Sequence, residues 1–472
     1  MLEQIGDIAV ALRSGDITAE RLLIRCLERI ERLDPALNSF VSIDKDGALH
    51  AARDSDKRFA EGSARSDLEG IPLSIKDNIL VKGVPATWGS RAFEHFVPDR
   101  DELPVARLRQ AGAVILGKTN VPELTLEGYT DNDLFGVTRN PFDPRLTPGG
   151  SSGGAAAGVA AGLVPAAIGT DGGGSIRRPA SHTGLVGWKP SIGRIARLWG
   201  FPSILSDFEV VGTLTRSVGD ACILDAAMKG PDRRDRRSLV ASATSLPKPS
   251  KLRILYVPRF GRGPVDPEVA AATAAFANQL ALCDAEVTEG QVFFDLEQAN
   301  SIWRVVSRAG VDYMMQYCDG LQAVAGTSVR AMAQDGRSML ASTYAGALEK
   351  AVAMRCALAA LFHEYDLVLT ASAASLPWAA EKPYPEEIDG QAAGPRDHAI
   401  FTGWVNIAGL PAVSLPVATS RSGLPIGVQL VAGFGCDDQL LDFAQTQTIL
   451  SCRPEMAFPP EQLDGVTGYP SE

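Results

Sequence analysis

The run from Gly149 to Gly174 constrains this chain most, because glycine and alanine dominate it and leave little side-chain volume. Backbones can approach one another closely there, and glycine adopts left-handed conformations at little cost. The run opens with Gly-Gly-Ser-Ser-Gly-Gly (149–154), and an alanine-rich stretch then predicts a tightly packed helix over 155–162. It leads into Gly-Thr-Asp-Gly-Gly-Gly-Ser-Ile-Arg-Arg-Pro (169–179), which places Ser175 twenty-four residues after Ser151. Lys76 lies near the end of Ile-Pro-Leu-Ser-Ile-Lys-Asp (71–77), a short apolar strand behind a turn. A serine backed by successive glycine amides can attack a carbonyl and hold the resulting oxyanion. A second serine and a lysine can supply the proton transfers that histidine supplies in other hydrolases.

With 472 residues and 45% hydrophobic content, the chain can bury a large core. A net charge of −11 argues against a general nucleic-acid or anionic-membrane surface. The N-terminal Met-Leu-Glu-Gln-Ile-Gly-Asp lacks a signal-peptide pattern, and the apolar stretch 155–169 is too short and too broken to span a bilayer. Seven scattered cysteines predict reduced thiols, and a cytoplasmic protein is expected.

Organisation follows from periodicity. Residues 17–34 predict an amphipathic helix with Thr18 as N-cap and Pro35 past its end. A helix over 104–110 closes at Gly112, and Val114–Leu116 forms a buried strand behind it. Charge and proline at 230–251 mark a surface connection. Strand 252–257 and helix 267–282 make another β-then-α unit. Helices dominate 296–364, a strand covers 366–370, and 377–397 reads as loop. Strands at 413–416 and 428–431 precede a helix near 437–450. The alternation predicts an α/β fold.

Two motif matches fail on context. Gly112–Thr119 fits the P-loop spelling, but its middle residues are strand-like and Pro122 blocks a following helix. Gly149–Gly153 fits the nucleophile-elbow spelling, but Asp143-Pro-Arg-Leu-Thr-Pro is no strand. None of the five histidines has a triad or metal-ligand context, and His182 reads as structural.

Several elements occur jointly and in order: Lys76-Asp77, Gly117–Asn120, Asn140-Pro141, 149–154, 171–177, Gly187–Pro190, Asn406–Pro411 and Gly423–Gln429. On these the chain resembles the amidase signature family from about residue 5 to 450. The resemblance implies one domain over 1–472, an α/β/α sandwich around a mixed, mostly parallel sheet. N-terminal helices would occupy 1–60, the catalytic core 61–230 and 400–455, and a variable substrate-shaping part 231–399. It implies Ser175 as acylated nucleophile, Ser151 as bridging serine behind a cis peptide from Gly150, and Lys76 as base. Gly172, Gly173, Gly174 and Ser175 would supply oxyanion-hole amides. Ser152 would orient the loop, and Asp171 and Arg177 would brace it. An ordinary lysine is neutral in only about one part in two thousand at pH 7, so Lys76 must be desolvated to act as a base.

Relatives usually carry a larger residue at 172, so Gly172 predicts a wider site. Arg178 and Glu127 stand at unusual positions, where they either read a polar group on the substrate or pair with each other or solvent. Trp303, Tyr313, Met314, Met315, Tyr317, Trp378 and Trp404 are candidates for an apolar wall. The expected activity is hydrolysis of a small carboxamide, or a related anilide, carbamate or ester, with no metal or organic cofactor. Expected partners are a small-molecule amide and water, with neither nucleic acid nor membrane, and a homodimer is allowed. Two rivals stay open. One is the glutaminase component of a tRNA-dependent amidotransferase, although the Tyr-rich basic segment of such proteins is not evident. The other is a non-catalytic binding protein, against which the joint presence of Lys76, Ser151 and Ser175 counts.

Overall fold

The protein, described here by a computed structural model, is defined over residues 4–241, 251–283, 285–292 and 294–450. Residues 242–250, part of the expected surface connection, lie outside that description. The strands are β1 (Phe40–Ile43), β2 (Pro72–Lys76), β3 (Val114–Thr119), β4 (Ala166–Asp171), β5 (Val186–Lys189), β6 (Val210–Thr215) and β7 (Arg253–Tyr256). They continue with β8 (Glu286–Glu289), β9 (Leu367–Ala371), β10 (Glu387–Ile388), β11 (Gln391–Ala392), β12 (Ala412–Thr419) and β13 (Pro425–Ala432). Eleven of them form one sheet in the order β1-β3-β2-β4-β6-β5-β12-β13-β9-β7-β8, and β10 and β11 make a separate ribbon.

The fold is α/β with a mixed sheet, as the alternation predicts. Its balance is antiparallel, however, with six antiparallel and four parallel pairings. The short turn between β12 and β13 accounts for one of the antiparallel pairs, since parallel neighbours need a long crossover. Strands β2, β3, β4, β6 and β9 are buried along their whole length, as expected of strands covered on both faces.

Local signals place most elements. Thr18 caps the helix Ala19–Leu37 by accepting from the Arg21 amide, but Pro35 lies inside this helix rather than beyond it. Asn38 in the left-handed conformation makes the actual stop. Gly112, at φ +105°, ends the helix Leu103–Ala111. Most of the P-loop spelling forms β3, where buried Lys118 pairs with Asp77 at 3.2 Å.

The parallel pairing of β2 with β4 positions the serine–lysine region. Ser74 lies beside Ala167 and Ile75 beside Ile168, so Lys76 and Asp171 close neighbouring parallel strands at the same, C-terminal end. The helix Gly153–Ala160 packs behind them with every residue buried. A Cβ at Gly154 would lie 2.4 Å from the Asn120 nitrogen and 2.5 Å from the Ser39 oxygen, which explains the small residue there.

Candidate active site

Lys76 is fully buried at the end of β2. Its Nζ lies 2.8 Å from Ser151 Oγ, 2.9 Å from Thr170 Oγ1 and 3.2 Å from the Thr170 carbonyl. Asn78 donates to Thr170 Oγ1 at 3.0 Å, fixing that hydroxyl. Burial pushes the Lys76 pKa down to about 7, against the opposing charges of Glu209 and Asp171. Burial thus favours the neutral amine at neutral pH, the form that a lysine base requires. The Gly150–Ser151 peptide is cis.

Ser175 lies in the loop between β4 and the helix Arg177–His182 and faces a cavity. Its hydroxyl makes no hydrogen bond among the described residues, so it is open to an incoming group. Ser152 ties the two serine loops together: its amide donates to the Ser175 carbonyl at 3.2 Å and its hydroxyl to the Thr170 carbonyl at 3.2 Å.

Asp171 sets the shape of the glycine loop. Its carboxylate accepts from the Gly174 amide at 2.7 Å, the Ile176 amide at 3.1 Å, the Arg177 guanidinium at 2.9 and 3.0 Å, and Asn406 at 2.9 Å. Burial alone would raise its pKa, but the charge and hydrogen bonds of Arg177 hold it well below the usual carboxylate range. Arg177 reaches on to Gln429 at 2.5 Å and Asn406 at 2.6 Å. The Gly174 amide is thus committed to Asp171, which corrects its expected place in the oxyanion hole. The Gly172 carbonyl accepts from Trp303 Nε1 at 3.1 Å, and the Gly173 carbonyl accepts from Arg178 at 2.6 Å and Thr402 at 2.8 Å. These bonds turn the carbonyls aside and leave the amides of Gly172, Gly173 and Ser175 without partners among the described residues.

Two further expectations change, the room at Gly172 and the pairing of Arg178. The room left by Gly172 is filled by Leu205, whose Cδ1 lies 2.4 Å from where a Cβ would stand, so the site is not widened there. Arg178 lines the Ser175 cavity, as Glu127 does, but neither is open to bulk solvent nor pairs with Glu127. It is 2% exposed and bonds the Gly173 carbonyl, Thr402 Oγ1 at 3.1 Å and the Gly150 carbonyl at 3.3 Å. It therefore joins both serine loops, and with no carboxylate partner burial pushes its pKa down to about 9. Glu127 lines the cavity and accepts from Ser328 at 2.5 Å.

Of the proposed apolar wall, Trp303 alone lines the Ser175 cavity. Met314, Met315 and Trp404 are core, while Tyr313 and Tyr317 are exposed. Trp378 packs against His182 and His398. The aromatic walls come from unpredicted loops: Trp88 stacks on Phe201 at 4.6 Å, beside a cavity of about 250 Å³ that shares Leu126, Leu205, Glu209 and Trp303 with the Ser175 cavity. His182 is structural, with its Nε2 3.2 Å from the Ser375 carbonyl and its pKa lowered by burial to about 4. Among the described residues no group of three or more His, Cys, Asp or Glu side chains is placed to hold a metal, no helix is long and apolar enough to cross a membrane, and six cysteines are free. Cys452 lies outside the described residues.

The family described as Amidase matches residues 21–441. A glutamyl-tRNA(Gln) amidotransferase subunit from a Synechococcus species is 35% identical, covering 95% of this chain and 97% of its own. A bacterial aryl acylamidase of the amidase signature enzymes superposes with a TM-score of 0.85 at 26% identity, covering 99% of both chains. The corresponding glutamyl-tRNA(Gln) amidotransferase subunit of Thermotoga maritima superposes at 0.73 with 28% identity, covering 93% of both chains. The amidotransferase relatives overturn the expectation that partners are limited to a small amide and water with no nucleic acid. Each of those relatives is one component of a larger enzyme, and that enzyme is named for a charged tRNA.

Proposed function

The chain belongs to the amidase signature family, whose members cleave amide C–N bonds, and from that premise we propose that Ser175 is its nucleophile, with Ser151 and Lys76 as the proton relay. The observation that carries this reading is the buried Lys76 Nζ, 2.8 Å from Ser151 Oγ at the foot of the Ser175 loop.

Neutral Lys76 takes the Ser151 proton as Ser151 takes that of Ser175. Ser175 Oγ bonds the substrate carbonyl carbon, and the amides of Gly172, Gly173 and Ser175 hold the negative oxygen. The proton returns through Ser151 to the leaving nitrogen, the C–N bond breaks, and an ester to Ser175 remains. Water then adds to that ester, giving one proton to the relay, and the acid departs as Ser175 regains its proton. Arg178, Asp171 and Arg177 hold the loops that carry these groups.

The curated relatives favour a setting in which the released nitrogen is ammonia from glutamine and the chain is the glutaminase component of a tRNA-linked amidotransferase. A second setting, hydrolysis of an aryl or alkyl amide, is favoured by the closer superposition on the aryl acylamidase, 0.85 against 0.73. Ammonia or amine release from glutamine, an alkyl amide and an anilide separates them when the Ser175→Ala protein runs alongside. Turnover confined to glutamine, with partner proteins that co-purify, selects the first. Anilide turnover that exceeds glutamine turnover selects the second, and equal signal from wild type and Ser175→Ala refutes the nucleophile.

A further inference from the structure

The cavity that Ser175 faces contains one cation that the reading above does not use. Arg396 lies in the loop that follows β11, directly before the short helical turn Asp397–Ala399, lines that cavity with Gly173 and Ser175, and is only partly buried. Its guanidinium carbon stands 4.1 Å over the Trp303 ring. Trp303 is in turn pinned to the oxyanion loop through the Gly172 carbonyl. Stacking on a fixed indole holds an arginine in place while leaving its planar fork of donors free for an anion.

The Arg396 guanidinium makes no hydrogen bond or ion pair among the described residues, and only its backbone carbonyl is engaged, accepting from the Ala399 amide at 2.9 Å. Each acidic neighbour in the cavity has a partner already. Glu209 is paired with Arg197, and Glu127 accepts from Ser328, with its charge felt by Arg396 but no contact within 4.0 Å. Arg178 adds positive charge nearby, and its own partners are neutral oxygens. The free donors are also close to the chemistry: Arg396 Nη2 lies 3.5 Å from the position a Cβ would take on Gly173. An anion held there is a few bonds from a carbonyl seated on the Gly173 and Ser175 amides.

We propose that Arg396, stacked on Trp303, is the specificity-determining residue of this site and selects amides whose acyl part carries a carboxylate a few carbons from the scissile carbonyl. The assignment rests on the Ser175 reading for which bond is cut, while the anion subsite itself is independent of turnover. The side-chain amide of an α-amino acid, as in glutamine, and a simple dicarboxylic acid monoamide both fit the class.

The test compares glutaramate with pentanamide, which replaces the carboxylate by a methyl group on the same chain. Binding to full-length Ser175→Ala is measured by calorimetry, and ammonia release is measured with wild type. A charge-assisted bidentate contact predicts that glutaramate binds about ten- to a hundredfold tighter than pentanamide. Arg396→Gln in the same background should bring the two affinities together, and Arg396→Lys should restore part of the gap. Melting temperatures of the variants establish that they are folded. Equal affinity for the two amides in Ser175→Ala overturns the proposal, as does a preference that survives Arg396→Gln. A preference that is present and depends on Arg396, without ammonia release by wild type, upholds the anion subsite and counts against the hydrolytic reading instead.

Discussion

Protonating one buried amine should switch the enzyme off. Lys76 has no carboxylate in contact, and burial lowers its pKa from 10.5 to about 7. The active form is neutral, so the sign is fixed: activity is present above this pKa and is lost as pH falls through it. With a value of about 7, roughly nine-tenths of the enzyme is competent at pH 8 and about one-eleventh at pH 6. The logarithm of kcat/KM should therefore rise with unit slope up to about pH 7 and level off above it, a change of about tenfold between pH 6 and 8. The assay is initial-rate ammonia or amine release at constant ionic strength on a substrate that does not titrate in this range. Lys189, also buried and pushed down to about 7, is a second titrating group, but it bonds the Pro190 carbonyl and makes no contact with either serine. Lys189→Met should accordingly keep the inflection if the protein folds. A profile that climbs without a plateau beyond pH 9 would show an ordinary lysine, and a flat profile from pH 5 to 9 would show a different base. The first result refutes the depressed pKa of Lys76, and the second refutes Lys76 as the base.

Other perturbations have distinct signatures. Gly174→Ala places a Cβ 2.2 Å from Thr402 Oγ1 at φ +112°, so activity should be abolished and the melting temperature lowered, with a cost of about 2 kcal/mol or more. Asp171→Asn leaves Arg177 buried without its charge partner and should cost about 3–5 kcal/mol, read from urea unfolding. Arg178→Gln releases both serine loops and should lower kcat on all amides by a similar factor, while a reordered substrate ranking would return Arg178 to a recognition role.

The parts of this site that could be read from the chain are those carried by short local patterns. The glycine–serine loops, the strand ending on Lys76 and the glycine stop at Gly112 need only a few neighbouring residues to declare themselves. What lay hidden depends on contacts between distant segments. Asn406 and Gln429 stand in stretches that carry the family resemblance, but their approach to the 171–178 loop, and that of Thr402, from more than two hundred residues away is marked by no periodicity. The expectation of a wider pocket at Gly172 failed because Leu205, from a separate loop, fills the space. Gly174 looked like an oxyanion donor because glycine amides are accessible, and only the Asp171 carboxylate, three residues away, shows that its hydrogen is taken. Arg396 read as part of a polar loop, since nothing local places it over Trp303.

An acyl group on Ser175 is the direct signature of the proposed mechanism. Wild type, Lys76→Ala and Ser175→Ala are mixed with an activated ester of a short acid, quenched in acid within seconds, digested and mapped by mass spectrometry. Wild type should carry an acyl adduct on Ser175 that is lost on treatment with hydroxylamine, is formed far more slowly in Lys76→Ala and is absent from Ser175→Ala. An adduct on Ser151 or Ser152 in the wild type, or unchanged amide turnover by Ser175→Ala, would contradict that mechanism.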